Sequence, residues 1–158
     1  MGANMCEIKT KRLVITKSTH KDAPTLTWLL LSHDRKILTG SVYMKDLKPI
    51  ELVNIVKDGI SNNIIWTIRE KETGFMVGSL SFNPIDKEVG GWISVEYHGK
   101  GYGRESFSPF IDMILQKEKE VYARHSEKIV CNTFAKCGMT RYKTQGMLEI
   151  YIKKAPEF

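Results

Sequence analysis

The stretch that most limits the fold runs from residue 64 to residue 115. It opens with "IIWTIRE" (64–70), turns at "KETG", continues as "FMVGSLSF" (75–82), turns again at "NPID" and resumes as "EVGGWISVE" (88–96). The first two runs, joined by so short a glycine-containing link, make an antiparallel hairpin, and the third adds a consecutive strand. Gly90 and Gly91 inside that strand mark a bulge or a close approach by something else. The chain then enters "YHGKGYGRE" (97–105), where Gly99, Gly101 and Gly103 alternate with Lys100 and Tyr102. Beyond it Phe107, Phe110, Ile111, Ile114 and Leu115 recur at the spacing of a buried helical stripe. Pro109 lies in that stripe, so the helix is expected either to bend there or to start properly near Ser106.

The flanks complete the order. "KRLVITK" (11–17) has the β-branched content of a strand, and Asp22 opens a helix with Pro24 in its first turn, ending near Ser32. A second helix follows Leu47–Pro49 and stops at "DGISNN". "EVYARH" (120–125) reads as a strand, 128–137 as a helix ended by Gly138, and "RYKTQGMLEIYIKK" as a closing hairpin. The sequence therefore predicts β-α-α-β-β-β-α-β-α-β-β, an α/β or α+β chain with a mixed sheet. At 158 residues one domain spanning 1–158 is expected.

Several classes are disfavoured. The longest apolar run, "WLLL" at 28–31, is too short for a membrane span, and the first residues lack the apolar stretch of a signal peptide. The chain begins Met-Gly, but Cys6 stands where a myristoylation pattern has Ser or Thr. Cys6, Cys131 and Cys137 have no metal-ligand spacing and form no short cluster with His20, His33, His98 or His125. Reduced thiols in a cytoplasmic protein without a metal are expected. The formal net charge of +6 favours anionic ligands without identifying one.

The glycine loop is neither of two familiar phosphate loops. A Walker loop needs Gly-Lys-Ser/Thr, and Lys100 is followed by Gly101. A dinucleotide fold needs G-x-G-x-x-G at the head of a βαβ unit, whereas this loop follows an antiparallel meander. What remains is a strand, amides freed by glycine, and a helix N-terminus, which together suit a pyrophosphate. Lys100 and Arg104 add positive charge at the rim.

With these features in place, the chain resembles the GNAT superfamily of N-acetyltransferases, and within it the branch that acetylates N-terminal amines of ribosomal proteins. The resemblance rests on "TKRLVI" followed by "KDA", on "KETGFMVGSLSFNPID", on "EVGGWISVEYHGKGYGRE" and on "AKCGM" (135–139). It covers nearly the whole chain in the family's order. The family's cofactor pattern is Gln or Arg, two residues, Gly, one residue, then Gly or Ala, and residues 98–103 match it except for His98. The resemblance implies a mixed, mostly antiparallel twisted sheet flanked by about four helices, and acetyl-CoA as cofactor. It also implies cofactor contacts from His98, Gly99, Lys100, Gly101, Tyr102, Gly103 and Arg104. The backbone amides of Ile93, Ser94 and Val95 would face the thioester carbonyl.

Glu88 stands where the family supplies a carboxylate as general base, and Tyr142 can reach the site from a later strand. Period-two alternation puts Glu88 on one face with Gly90, Trp92 and Ser94. An exposed strand-end carboxylate is the competing reading. Three departures bear on proton delivery: Glu127 and Val130 replace the branch's usual Asn and Ser, and Phe134 stands where other members place a catalytic Tyr. Cys131, next to Val130, is a lesser substitute for the acid.

The expected reaction is direct acetyl transfer from acetyl-CoA to a protein N-terminal α-amine or a small-molecule amine. Its alternatives are a coenzyme A-binding module that has lost catalysis, or transfer to an amine borne by RNA. Nucleic acid and membrane partners are not expected, and a monomer or homodimer is. Residues 18–62 should form much of the acceptor wall. There Lys21, Arg35, Lys36, Lys45, Lys48 and Lys57 balance Asp22, Asp34, Asp46, Glu51 and Asp58, which ranks polyamines below peptides and monoamines.

Overall fold

A computed structural model describes residues 7–32 and 47–157. Cys6, His33 and the predicted wall charges Asp34, Arg35, Lys36, Lys45 and Asp46 lie outside the described residues. The elements are β1 (Glu7–Lys9), β2 (Leu13–Lys17), α1 (Ala23–Ser32), α2 (Pro49–Ser61), β3 (Ile65–Glu70), β4 (Met76–Asn83), β5 (Glu88–Ile93), α3 (Tyr102–Ile114), β6 (Glu120–His125), α4 (Lys128–Lys136), β7 (Thr140–Gln145) and β8 (Leu148–Lys154). They form one eight-stranded sheet in the order β1-β2-β3-β4-β5-β6-β8-β7. Every neighbouring pair is antiparallel except β5 and β6.

Two expectations about strands need correction. The strand expected at 11–17 starts at Leu13, two residues late, and an unexpected short strand, β1, precedes it: the Thr10 N–H donates to the Leu13 carbonyl (2.9 Å) while the Leu13 N–H donates to Thr10 Oγ1 (3.0 Å). That tight turn separates β1 from β2. The run at 88–96 stops at Ile93. Ser94 N–H still reaches Val77 O (2.8 Å), and then Tyr97 N–H closes on Ser94 O (2.9 Å), winding Val95–Tyr97 into a 3-10 turn.

A third correction concerns Pro109. Of the two alternatives, a start near Ser106 does not hold: the helix begins at Tyr102 and continues through Pro109 to Ile114. Burial of Tyr102, Ser106, Phe107 and Phe110 anchors its first two turns, which offsets the one hydrogen bond that proline forfeits.

The core has two parts. Leu13, Ile15, Ile68, Val121 and Ala123 of the sheet pack with Phe107, Phe110 and Ile111 of α3 and Phe134 of α4. Ala23, Leu26 and Leu30 of α1 meet Leu52, Val56 and Ile60 of α2 in a separate cluster, against Ile65, Met76 and Trp92. Asp22 fixes the start of α1: its carbonyl accepts the first helical bond from Leu26 (3.0 Å), and its carboxylate takes Thr19 N–H (2.9 Å) and pairs with Arg69. Among the described residues no helix is long and apolar enough to cross a membrane.

Candidate active site

The parallel pair of strands is where the sheet opens. β5 meets β6 only at Glu88↔Tyr122, with Tyr122 N–H on Lys87 O (2.9 Å). Beyond that point the edge of β5 has no strand partner among the described residues. The alternation decides which groups lie there. Ser94 bonds back to β4, so Ile93, one residue earlier, turns its amide and carbonyl toward the open edge. Of the three predicted amides, that of Ser94 is therefore engaged with Val77, while that of Ile93 faces the opening and that of Val95 lies in the turn beyond.

This opening leads to the glycine loop. Gly99 and Gly101 hold φ of +81° and +82°, where an L side chain is strained, and a Cβ at Gly99 would meet nothing within 4 Å. Gly101 is the N-cap of α3 and brings no side chain to cap it. The first helical bond is Glu105 N–H to Gly101 O (3.1 Å), which leaves the amides of Tyr102, Gly103 and Arg104 without intrahelical acceptors. Lys100 and Arg104 are exposed at this end. The structure thus gathers His98, Gly99, Lys100, Gly101, Tyr102, Gly103 and Arg104 around one set of outward amides. Two of them behave in ways their position in the motif did not disclose. The Tyr102 ring is buried beneath the loop with its hydroxyl on Glu70 Oε2 (2.5 Å), so only its backbone faces the opening. His98 folds back so that its Nε2 donates to Ile93 O (2.6 Å), tying the loop to the end of β5.

On the α1–α2 face a groove of about 520 Å³ runs across the sheet. Its floor includes Ser79, Ser81 and Gly90, and its walls include Leu26 of α1 and Val56 of α2. A second cleft of about 330 Å³ contains Tyr122, Arg124, Tyr142 and Lys143, and Asp86 and Glu88 border both. Glu88 therefore stands half-buried between two concavities rather than at a fully solvated strand end. Arg124 Nε donates to Glu88 Oε2 at 3.1 Å. Burial pushes the Glu88 carboxyl above its ordinary range, and Arg124, through charge and hydrogen bond, pulls it part of the way back.

Tyr142 lies in the same cleft as Glu88. Arg141 opposes Tyr151 and Lys143 opposes Ile150, so Tyr142 is the extra residue of a β-bulge. Its ring packs 5.9 Å from that of Tyr122. Of the residues that the resemblance ties to proton delivery, Phe134 is packed in the core. Phe134 sits between Phe107 and Tyr151, 5.6 Å from each ring centroid. Glu127 precedes α4 and gives its amide to His125 Nδ1 (2.9 Å). Cys131 and Cys137 are free and buried, and burial pushes both thiols up to about 11, so neither supplies a reactive thiolate at neutral pH. Among the described residues no three His, Cys, Asp or Glu side chains are grouped to hold a metal.

The sequence did not disclose Arg124 or Asp86 as neighbours of Glu88. Alternation in "EVYARH" places Tyr122 and Arg124 on one face, but their pairing with Glu88 depends on a parallel contact between strands separated by α3.

A family model described as an acetyltransferase (GNAT) domain matches residues 12–140. No curated protein matches the chain in sequence. Solved structures match it in fold. A GNAT-family acetyltransferase from Bacillus anthracis superposes with a TM-score of 0.78 at 17% identity, over 96% of this chain and 99% of that one. RimL, a ribosomal-protein α-N-acetyltransferase solved with coenzyme A, gives 0.74 at 14% identity, over 94% and 97%. The microcin C7 self-immunity acetyltransferase MccE, solved with acetyl-CoA and AMP, gives 0.70 at 16% identity, over 91% and 93%.

Proposed function

This chain belongs to the GNAT acetyltransferase family, and we propose that it moves the acetyl group of acetyl-CoA to a primary amine held beside Glu88, a protein N-terminal amine or a small-molecule amine. The observation that carries this reading is the parting of β5 from β6 beside an uncapped, side-chain-free helix N-terminus. The donor chemistry fits coenzyme A. Glycines with positive φ let backbone amides approach phosphate oxygens, and the α3 dipole with Lys100 and Arg104 supplies positive potential. When bound, acetyl-CoA supplies an activated acyl carbon and a thiol leaving group of pKa near 8.5.

The chain's own groups do the rest. The Ile93 amide at the open edge donates a hydrogen bond toward the carbonyl being attacked. The groove holds the acceptor on the face that Glu88 shares with Gly90, whose missing side chain leaves room above the floor. Glu88 takes the proton from the attacking amine at its carboxylate, directly or through water. An α-amine, with a pKa of about 7.7–8, needs less help than a lysine at about 10.4, which favours N-terminal and weakly basic acceptors. With Phe134 packed in the core, the departing thiolate takes its proton from water or from the new ammonium rather than from a phenol at that position.

Acetyl-CoA should raise the Tm of the wild-type protein by mass action, with a rise that grows as ligand concentration passes Kd. No rise at millimolar acetyl-CoA would remove the reading. The Glu88–Arg124 pair gives a second expected result. The base works only when ionised, and Arg124 favours ionisation, so Arg124→Gln should raise the Glu88 pKa further. The acid limb of the rate profile should then move to higher pH, with the largest loss at low pH and recovery on the alkaline side. An acid limb that stays in place would separate Glu88 from the reaction.

A further inference from the structure

Among the groups outside the groove, one cluster is bound to the glycine loop from beneath. Glu105 lies in the first turn of α3, where its negative charge opposes the anion that the neighbouring amides are free to bind. The carboxylate is nevertheless held from four directions. Thr10 Oγ1 donates to its Oε2 (2.6 Å), as does Arg12 N–H (2.9 Å), while Arg12 Nε (2.7 Å) and Nη2 (2.6 Å) both reach Oε1. Burial alone would raise its pKa, but the bonds from Thr10 and Arg12 overcome this and hold the carboxyl below its ordinary range. The guanidinium also lies over the Tyr102 ring, 4.5 Å from the centroid.

The same Arg12 Nη2 donates to the backbone carbonyl of Lys100 at 2.8 Å. That carbonyl and the Gly101 N–H belong to one planar trans peptide, so they point in opposite directions. Fixing the carbonyl on Arg12 therefore fixes the Gly101 amide on the side away from Arg12. Gly101 has no side chain, so nothing of its own can set this direction. We propose that Arg12, oriented by Glu105 and Thr10, is a positioning residue that aims the Gly101 amide at the pyrophosphate of coenzyme A. The inference rests on the function proposed above. Glu105 acts here through Arg12, and its charge is neutralised by the same guanidinium.

The positioning role and simple electrostatics predict opposite signs for one variant. Removing a carboxylate beside a phosphate site should tighten anion binding, whereas releasing Arg12 from its brace should weaken it. Calorimetry with coenzyme A, and with pantetheine, which has the same arm but no pyrophosphate, separates the two for Glu105→Ala, Arg12→Gln and Arg12→Lys. Coenzyme A should bind about tenfold or more weakly to each variant, the scale of a lost hydrogen bond to a charged group, with pantetheine unchanged. Arg12→Lys keeps the charge but cannot span Glu105 and Lys100 O together, so it reports on geometry even if the glutamine variant fails to fold. Tighter or unchanged coenzyme A binding by Glu105→Ala, or equal losses for both ligands, would overturn the positioning role. Wild-type protein that fails to bind coenzyme A would overturn the proposed function itself, and the inference with it.

Discussion

Valine at position 101 should abolish the rise in Tm that acetyl-CoA gives the wild-type protein. Gly101 caps α3 with φ +82°, and a Cβ there would lie 3.6 Å from Arg12 Nη2, so a branched side chain would crowd the guanidinium that holds the Lys100–Gly101 peptide and disturb the loop amides. The substitution also has a backbone cost, about 1–2 kcal/mol for an L-residue forced into the left-handed region. Gly146 provides the control. It turns β7 into β8 with φ +60°, and a Cβ there meets nothing within 4 Å. Gly146→Val should lose a similar few degrees of Tm without ligand and keep the full rise with acetyl-CoA. If Gly101→Val keeps the rise as well, the cofactor lies elsewhere on the molecule.

Glu88→Gln should lower the acetylation rate about 100-fold or more at neutral pH, the scale of a lost general base. Acetyl-CoA affinity should be nearly intact, because Glu88 faces the acceptor groove rather than the glycine loop. The sign of the pH dependence is fixed. As pH rises toward the pKa of the acceptor, more of the amine is already neutral, so wild type and variant should converge. A loss that is the same at every pH would make Glu88 a structural partner of Arg124 and nothing more.

How much of this was legible in the sequence follows from how local each signal is. The meander, the loop and the α3 stripe are each written within about a dozen residues, as period-two runs, turn residues and helical spacing, and their order was readable. The turn at Thr10–Leu13 was not, because "KRLVITK" has strand composition and the turn rests on Thr10, whose amide and hydroxyl both bond Leu13. The cofactor loop was visible through its glycines, but not the direction in which its amides point. That depends on Arg12 and Glu105, 93 residues apart. The same limit applies to Glu88. Its place at the head of a strand was apparent, while the Arg124 guanidinium beside it required the parallel pairing of β5 with β6.

The central claim, acetyl transfer from acetyl-CoA to an amine, is tested most directly by following thiol release from acetyl-CoA and acceptor mass together. The panel should contain peptides with free N-termini, their N-blocked counterparts and simple monoamines. The account predicts that free coenzyme A thiol appears in step with an acceptor that gains one acetyl group, that N-blocked peptides stay unchanged, and that Glu88→Gln suppresses both signals. Tight acetyl-CoA binding with no acetylated amine anywhere in the panel, and thiol release no faster than without protein, would contradict it and leave a coenzyme A-binding module in its place.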